Sequence, residues 1–118
     1  MNRTSQWRPQ MVENLAPPVV AERMKRGSEE VVLLDVREGF ERRVASISPS
    51  LHIPMNEVPD RLDEIPKDRL LVVYCHSGER SMLVAGFLAG RGYRSVANLA
   101  GGIDAWSALV DPDVPRYY

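Results

Sequence analysis

Five consecutive apolar or aromatic residues, Leu70–Tyr74, run straight into a single thiol, Cys75, and a helix-forming stretch begins about six residues later. A run of that length without a polar face predicts a strand buried on both sides. Such a strand belongs inside a parallel sheet with helices packed over it, and nothing else in the chain constrains the fold as strongly. The other elements agree. Val31–Val36 is a second β-branched run with Asp35 near its C-terminal end, and Leu51–Ile53 and Ser95–Leu99 read as shorter strands. Between them fall an amphipathic helix over Val19–Arg26, a short one over Arg37–Arg43, one over Glu57–Glu64 capped by Asn56, one over Ser81–Ala89 and one over Ile103–Leu109. Strands alternating with helices predict an α/β fold: a small parallel central sheet with right-handed crossovers and helices on both faces. The Ser81–Ala89 helix is apolar on nearly every side, so it is expected to be largely covered, with Met82, Leu83, Phe87 and Leu88 as core.

The 118 residues suit one domain, read here as residues 15–110 with an N-terminal arm over 1–14 and a C-terminal tail over 111–118. Fifteen basic residues against sixteen acidic ones leave no overall basic field for nucleic acid or an anionic membrane. One cysteine cannot form an intrachain disulfide, and two histidines give no metal-ligand cluster, so no metal or cofactor is expected. Met1–Gln10 lacks an apolar leader and no stretch approaches about 18 apolar residues. The expected compartment is therefore the cytoplasm, where reducing conditions keep a lone thiol usable.

The thiol lies past the end of its strand, not within it. In open parallel sheets ligands sit beyond the carboxyl ends of the strands, which is the position of Cys75. A tight loop entering a helix turns successive backbone N–H groups inward and adds the positive end of the helix dipole. Both favour an anion at the loop centre, and a thiolate is such an anion. Gly78 permits the curl, and Arg80 supplies a planar cation for an anionic substrate or for the loop itself. Glu79 is expected to point to solvent, because its charge would oppose an anion. The backbone N–H groups of residues 76–80 are better candidates for the cradle than their side chains. A buried small hydrophobe is the commonest fate of a free cysteine, but the position of Cys75 and its spacing to Gly78 and Arg80 favour a nucleophile.

These residues resemble those of the single-domain rhodaneses, a sulfurtransferase family. The likeness runs from about Leu15 to Trp106. It is carried by Leu33-Leu34-Asp35-Val36-Arg37-Glu38, Ile53-Pro54, the segment Val72–Ser81, Gly92-Tyr93 and Leu99–Trp106. The resemblance implies that Cys75 takes a sulfane sulfur from a donor such as thiosulfate, becomes a persulfide, and passes the sulfur to a thiol, cyanide or a sulfur-carrier acceptor. It also implies a substrate loop of His76, Ser77, Gly78, Glu79, Arg80 and Ser81. In one place the chain departs from the family: Ala45–Ser50 stands where a Gly-His-Ile-Pro-Gly-Ala segment is usual.

Several side chains have two readings. Asp35 and Arg37 could orient the loop or contact substrate, although an ion pair tying loops together is the plainer reading. His76 could exchange protons with its neighbour, and Ser77 or Ser81 could donate a hydroxyl to the sulfur, but helix capping suits Ser81 better. Gly101-Gly102 reads as a turn and Trp106 as the anchor of the last helix. The tail is expected to pack on the body through Tyr117 or Tyr118; its sequence also resembles endings of rhodanese domains fused to activators of sulfur carriers. Two other functions compete. Cysteine phosphatases and arsenate reductases also place a cysteine before an arginine at a helix start, but usually with five residues between, against four here. A non-catalytic rhodanese-like binding module is the second, and such modules often lack the cysteine.

Overall fold

The computed structural model of the protein describes residues 12–27 and 30–117. Five parallel strands, β1 (Glu13–Leu15), β2 (Val31–Asp35), β3 (Leu51–His52), β4 (Leu70–Tyr74) and β5 (Val96–Leu99), form one sheet in the order β1-β5-β4-β2-β3. The helices are α1 (Pro17–Arg26), α2 (Gly39–Val44), α3 (Glu79–Ala89) and α4 (Gly102–Leu109). The expected α/β architecture is present, with the apolar run Leu70–Tyr74 in the middle strand.

Alternation along β4 divides the core in two. Leu71, Val73 and Cys75 face Val84, Ala85 and Leu88 of α3, together with Val58 and Ile65. Val72 and Tyr74 face the other way, toward Val20 of α1 and Ile103 and Trp106 of α4. Leu71, Val72 and Val73 are fully buried, and each such side chain contributes roughly 1.5–3 kcal/mol of transfer free energy. Cys75 therefore leaves the sheet where the two layers are already fixed on either side.

Several local readings change, and α2 and α3 begin two residues away from their expected starts, at Gly39 and Glu79. Glu13–Leu15, within or beside the stretch read as an arm, is an edge strand in register with β5, Asn14 opposite Asn98; three residues at an edge carry no periodicity. The rest of that arm, residues 1–11, lies outside the described residues. The helix over 57–64 is two 3₁₀ pieces, Met55–Asp60 and Leu62–Glu64, with Pro59 inside the first. Proline has no N–H for an α-helical bond, and its ring crowds the preceding turn. The first helix starts two residues early, at Pro17, because proline suits the first helical turn. Finally, α3 leaves Leu83 67% exposed and Met82 at the surface. It covers only one face of the sheet, so its outer side stays wet despite being apolar.

Candidate active site

Past Tyr74 the chain curls for four residues to Gly78, which begins α3 in the left-handed region at φ +111°. Glycine enters that region without the cost a side chain brings. The curl carries the N-terminus of α3 back over the thiol. Cys75 is 1% exposed, and its Sγ accepts the Gly78 N–H at 3.1 Å and the Ser81 N–H at 3.4 Å. Ser81 Oγ lies 3.3 Å from the same sulfur. The expected cradle of backbone donors thus takes shape with two amides, and one of them, from Ser81, lies just past residues 76–80.

A second helix holds the loop from below. The first amides of α4 donate to the loop carbonyls, Ile103 N–H to Cys75 O at 2.9 Å and Asp104 N–H to His76 O at 3.1 Å. Gly102 makes this approach possible. It sits at φ +65°, and a Cβ there would run into the carbonyls of His76 and Cys75. The Gly101-Gly102 pair is therefore a close-contact device as well as a turn.

The loop side chains mostly face elsewhere. Ser77 and Glu79 are exposed and bonded to each other, the Ser77 hydroxyl donating to Glu79 Oε1 at 2.5 Å; Glu79 faces solvent, as expected. The His76 ring stacks on Tyr117 with centroids 4.2 Å apart. Arg80 is committed to Glu41, with both terminal nitrogens on the carboxylate at 2.7 and 2.9 Å. Those bonds, acting against burial, hold the Glu41 carboxyl down at about 2. Ser81 is not a cap. It is the third residue of α3, with its buried hydroxyl pointed back to Cys75 Sγ and to Asn98 Oδ1, the latter at 2.5 Å. The left-handed glycine starts the helix in its place.

Asp35 and Arg37 are fully buried and joined in a fork, Nε to Oδ1 at 2.9 Å and Nη2 to Oδ2 at 2.8 Å. Burial pushes the Asp35 carboxyl up, but the Arg37 bonds and charge overcome it and hold it below its usual value. The same two residues organise their surroundings. Arg42 and the Tyr74 hydroxyl also donate to Asp35, at 3.0 and 3.1 Å. Arg37 reaches the Ala45 carbonyl at 2.7 Å, Tyr74 OH accepts the Ile47 N–H at 3.2 Å, and Arg42 holds the Ser50 carbonyl at 3.0 Å. With the Ser50 hydroxyl also bonded to Arg42 at 3.0 Å and to the Tyr74 hydroxyl at 3.3 Å, five side-chain contacts fix the unusual 45–50 segment, in which Ile47 is buried. Among the described residues neither side chain of the pair bonds a side chain of the cysteine loop. One link runs through Glu41, whose carbonyl accepts from Arg37 Nη1 at 3.4 Å and whose carboxylate holds Arg80; the other runs through the tail.

That link is Tyr117. Its hydroxyl accepts from Arg37 Nη1 at 2.9 Å and donates to Glu41 Oε2 at 2.8 Å. Burial first, then the neighbouring Glu41, push its phenol up to about 12, against the Arg37 bond. The tail packs on the body through Tyr117; Tyr118 lies outside the described residues. Sequence reasoning did not find Glu41, Asn98 or this role of Tyr117. Glu41 had a local signal, a capping box with Glu38 at the start of α2, but that signal speaks of the helix and not of Arg80.

Beside the loop lies an open groove of about 530 Å³, bordered by Ser77, Gly78, Glu79, Met82, Leu83 and Asn98 among others. Among the described residues, no group of three or more His, Cys, Asp or Glu side chains could hold a metal ion. What the arrangement offers is a buried sulfur with amide dipoles aimed at it. Such donors stabilise negative charge on the sulfur or on an atom bonded to it.

Comparison with known proteins gives one consistent result. The model of the family described as rhodanese-like domain matches residues 17–109. A sulfurtransferase of Allochromatium vinosum is 45% identical over 80 residues, covering 68% of this chain and 75% of that protein. The putative sulfurtransferase YtwF of Bacillus subtilis is 38% identical over 84 residues, 71% of this chain and 81% of its own. Among solved structures, a rhodanese-related protein from Thermoplasma volcanium superposes with a TM-score of 0.77 at 28% identity, covering 89% of this chain and 99% of that one.

Proposed function

The chain belongs to the rhodanese-like domain family and has a sulfur-transfer role, and from that premise we propose that Cys75 is the residue that carries the sulfur, as a persulfide. The observation that supports this most is the pair of amides, Gly78 and Ser81, converging on Sγ at the start of α3. In the first step the Cys75 thiolate attacks the outer sulfur of a donor such as thiosulfate. A new S–S bond forms, the donor S–S bond breaks, and sulfite leaves with the electron pair. In the second step a thiol, cyanide or a sulfur-carrier protein attacks the outer sulfur, and Cys75 returns as thiolate. Two covalent half-reactions predict ping-pong kinetics.

Within the loop the proposed roles divide. The Gly78 and Ser81 amides stabilise the anionic sulfur, and the Ser81 hydroxyl lies beside it. His76, Ser77 and Glu79 form the rim that a donor meets, while Asp35, Arg37 and Arg80 brace the loop. The commitment of Arg80 to Glu41 also counts against a phosphatase, in which an arginine fork must face a phosphate. A reducing compartment such as the cytoplasm suits a free thiol of this kind.

The test is direct. Incubation with thiosulfate is expected to add one sulfur atom to the intact mass, removable by cyanide or dithiothreitol, and Cys75→Ser is expected to gain nothing. The same gain in the serine variant would overturn the assignment. Turnover of a phosphate ester without any persulfide would favour the phosphatase instead.

A further inference from the structure

The Ser81 hydroxyl has one proton and two acceptors within reach, Cys75 Sγ at 3.3 Å and Asn98 Oδ1 at 2.5 Å. Asn98 decides which receives it. This residue is 2% exposed on β5, and its Nδ2 donates to the Gly78 carbonyl at 3.3 Å and to Asn14 Oδ1 at 3.0 Å. A carbonyl can only accept, so the amide nitrogen must face Gly78 and the amide oxygen must face Ser81. A flipped amide would set two oxygens against each other at Gly78. The Ser81 proton is thereby directed to Asn98, and its oxygen lone pair is left facing the sulfur. A neutral Cys75 can then donate its S–H to Ser81 Oγ, completing a chain from thiol to serine to asparagine. A thiolate has no such proton to give and competes with Asn98 for the serine proton.

We propose that Asn98 is a positioning residue that fixes the direction of the Ser81 hydroxyl, turning its proton away from Cys75 Sγ. This inference rests on Cys75 being the sulfur-carrying residue. It assigns a role to a buried polar side chain in an otherwise apolar strand. It also gives the edge strand β1 a part in the site, since Asn14 helps to hold the amide in place.

The experiment follows alkylation of Cys75 by iodoacetamide against pH, in the full chain and in Asn98→Ala, Ser81→Ala and the double variant. The lone cysteine makes the reaction site-specific. Asn98→Ala is expected to release the serine proton to the sulfur. The half-maximal rate then moves to lower pH, and alkylation near neutral pH quickens roughly threefold to tenfold. In the Ser81→Ala background the same substitution is expected to leave the pH midpoint in place. Simple loosening of the loop would instead raise the limiting rate in both backgrounds. The charged and titratable groups around the loop, His76, Glu79 and Arg80, with Glu41 of α2, Asp104 of α4 and Tyr117 of the tail, are common to all four proteins. A midpoint that does not move in Asn98→Ala, or that moves equally without Ser81, would overturn the proposal. Should Asn98→Ala not fold, the infrared S–H band decides: it is expected at lower frequency in the native chain than in Ser81→Ala, and equal frequencies would refute the donated S–H. Alkylation needs no sulfur donor, so this test and the thiosulfate test can fail independently.

Discussion

Around the sulfur, the contacts are two backbone amides and one hydroxyl, all neutral. On the flank formed by α2, the 45–50 segment and the tail, most contacts involve a charge: Asp35 with Arg37 and Arg42, Glu41 with Arg80, and Tyr117 between Arg37 and Glu41. The two regions touch through Arg80, the second residue of α3, and through the stack of His76 on Tyr117. Backbone donors hold their direction without reorganising and have no counter-ion to lose, so they suit an atom whose charge changes during reaction. Ion pairs are strong only while intact and dry, so they suit parts that must stay still. Charged residues near a nucleophile are easily read as chemistry; in this molecule they are mostly carpentry for the loop that performs it.

This division can be broken in several places. Arg37→Met should have the largest effect, about 3–5 kcal/mol of stability, because it leaves a buried carboxylate short of its main partner. Denaturant melts measure that loss, and sulfur uptake per folded molecule should fall far less. A steep fall in uptake with little loss of stability would erase the distinction between the regions. Gly102→Ala should do the reverse. Its Cβ would meet the loop carbonyls, so uptake at Cys75 should drop at least about tenfold while stability falls by roughly 1–3 kcal/mol.

Substitutions of single acidic or phenolic groups should have smaller effects. Glu41 and Asp35 both have folded-state carboxyls below their usual values of 4.5 and 3.8, Glu41 at about 2. The folded chain therefore binds fewer protons than the unfolded one in that range. The Glu41 contribution is full above about pH 5 and is lost as pH falls through 4.5 toward 2, and that of Asp35 is lost as pH falls below 3.8. Glu41→Gln should flatten that acid limb and lower stability by about 1–2 kcal/mol. Tyr117→Phe, which keeps the stack on His76 and loses only the hydroxyl bridge, should cost about 1 kcal/mol by thermal melting.

The parts legible in the sequence were those with local signals. Leu70–Tyr74 announces a central strand by its unbroken apolarity, and the Cys75–Ser81 segment announces a helix-entry loop by position and by Gly78. The α2 flank gave no comparable signal. Glu41 and Arg80 are 39 residues apart, and Arg37 and Tyr117 are 80 apart, so their pairing leaves no period and no spacing to read. Serine before a helical stretch suggests a cap at Ser81; the left-handed Gly78 takes that place and leaves the hydroxyl between Asn98 and the sulfur. Asn98 looked like one polar residue in a short strand, and only the crossing of β5 beside the loop gives it meaning.

In the proposed covalent relay the sulfur leaves the donor before the acceptor arrives. Protein loaded with thiosulfate, desalted free of donor and then mixed with a thiol acceptor tests it most directly by intact mass. One sulfur per chain is expected to depart from Cys75, the acceptor to gain it, and the protein to return to its unmodified mass. A loaded protein that keeps its sulfur, or transfer that occurs only with donor and acceptor present together, would contradict it.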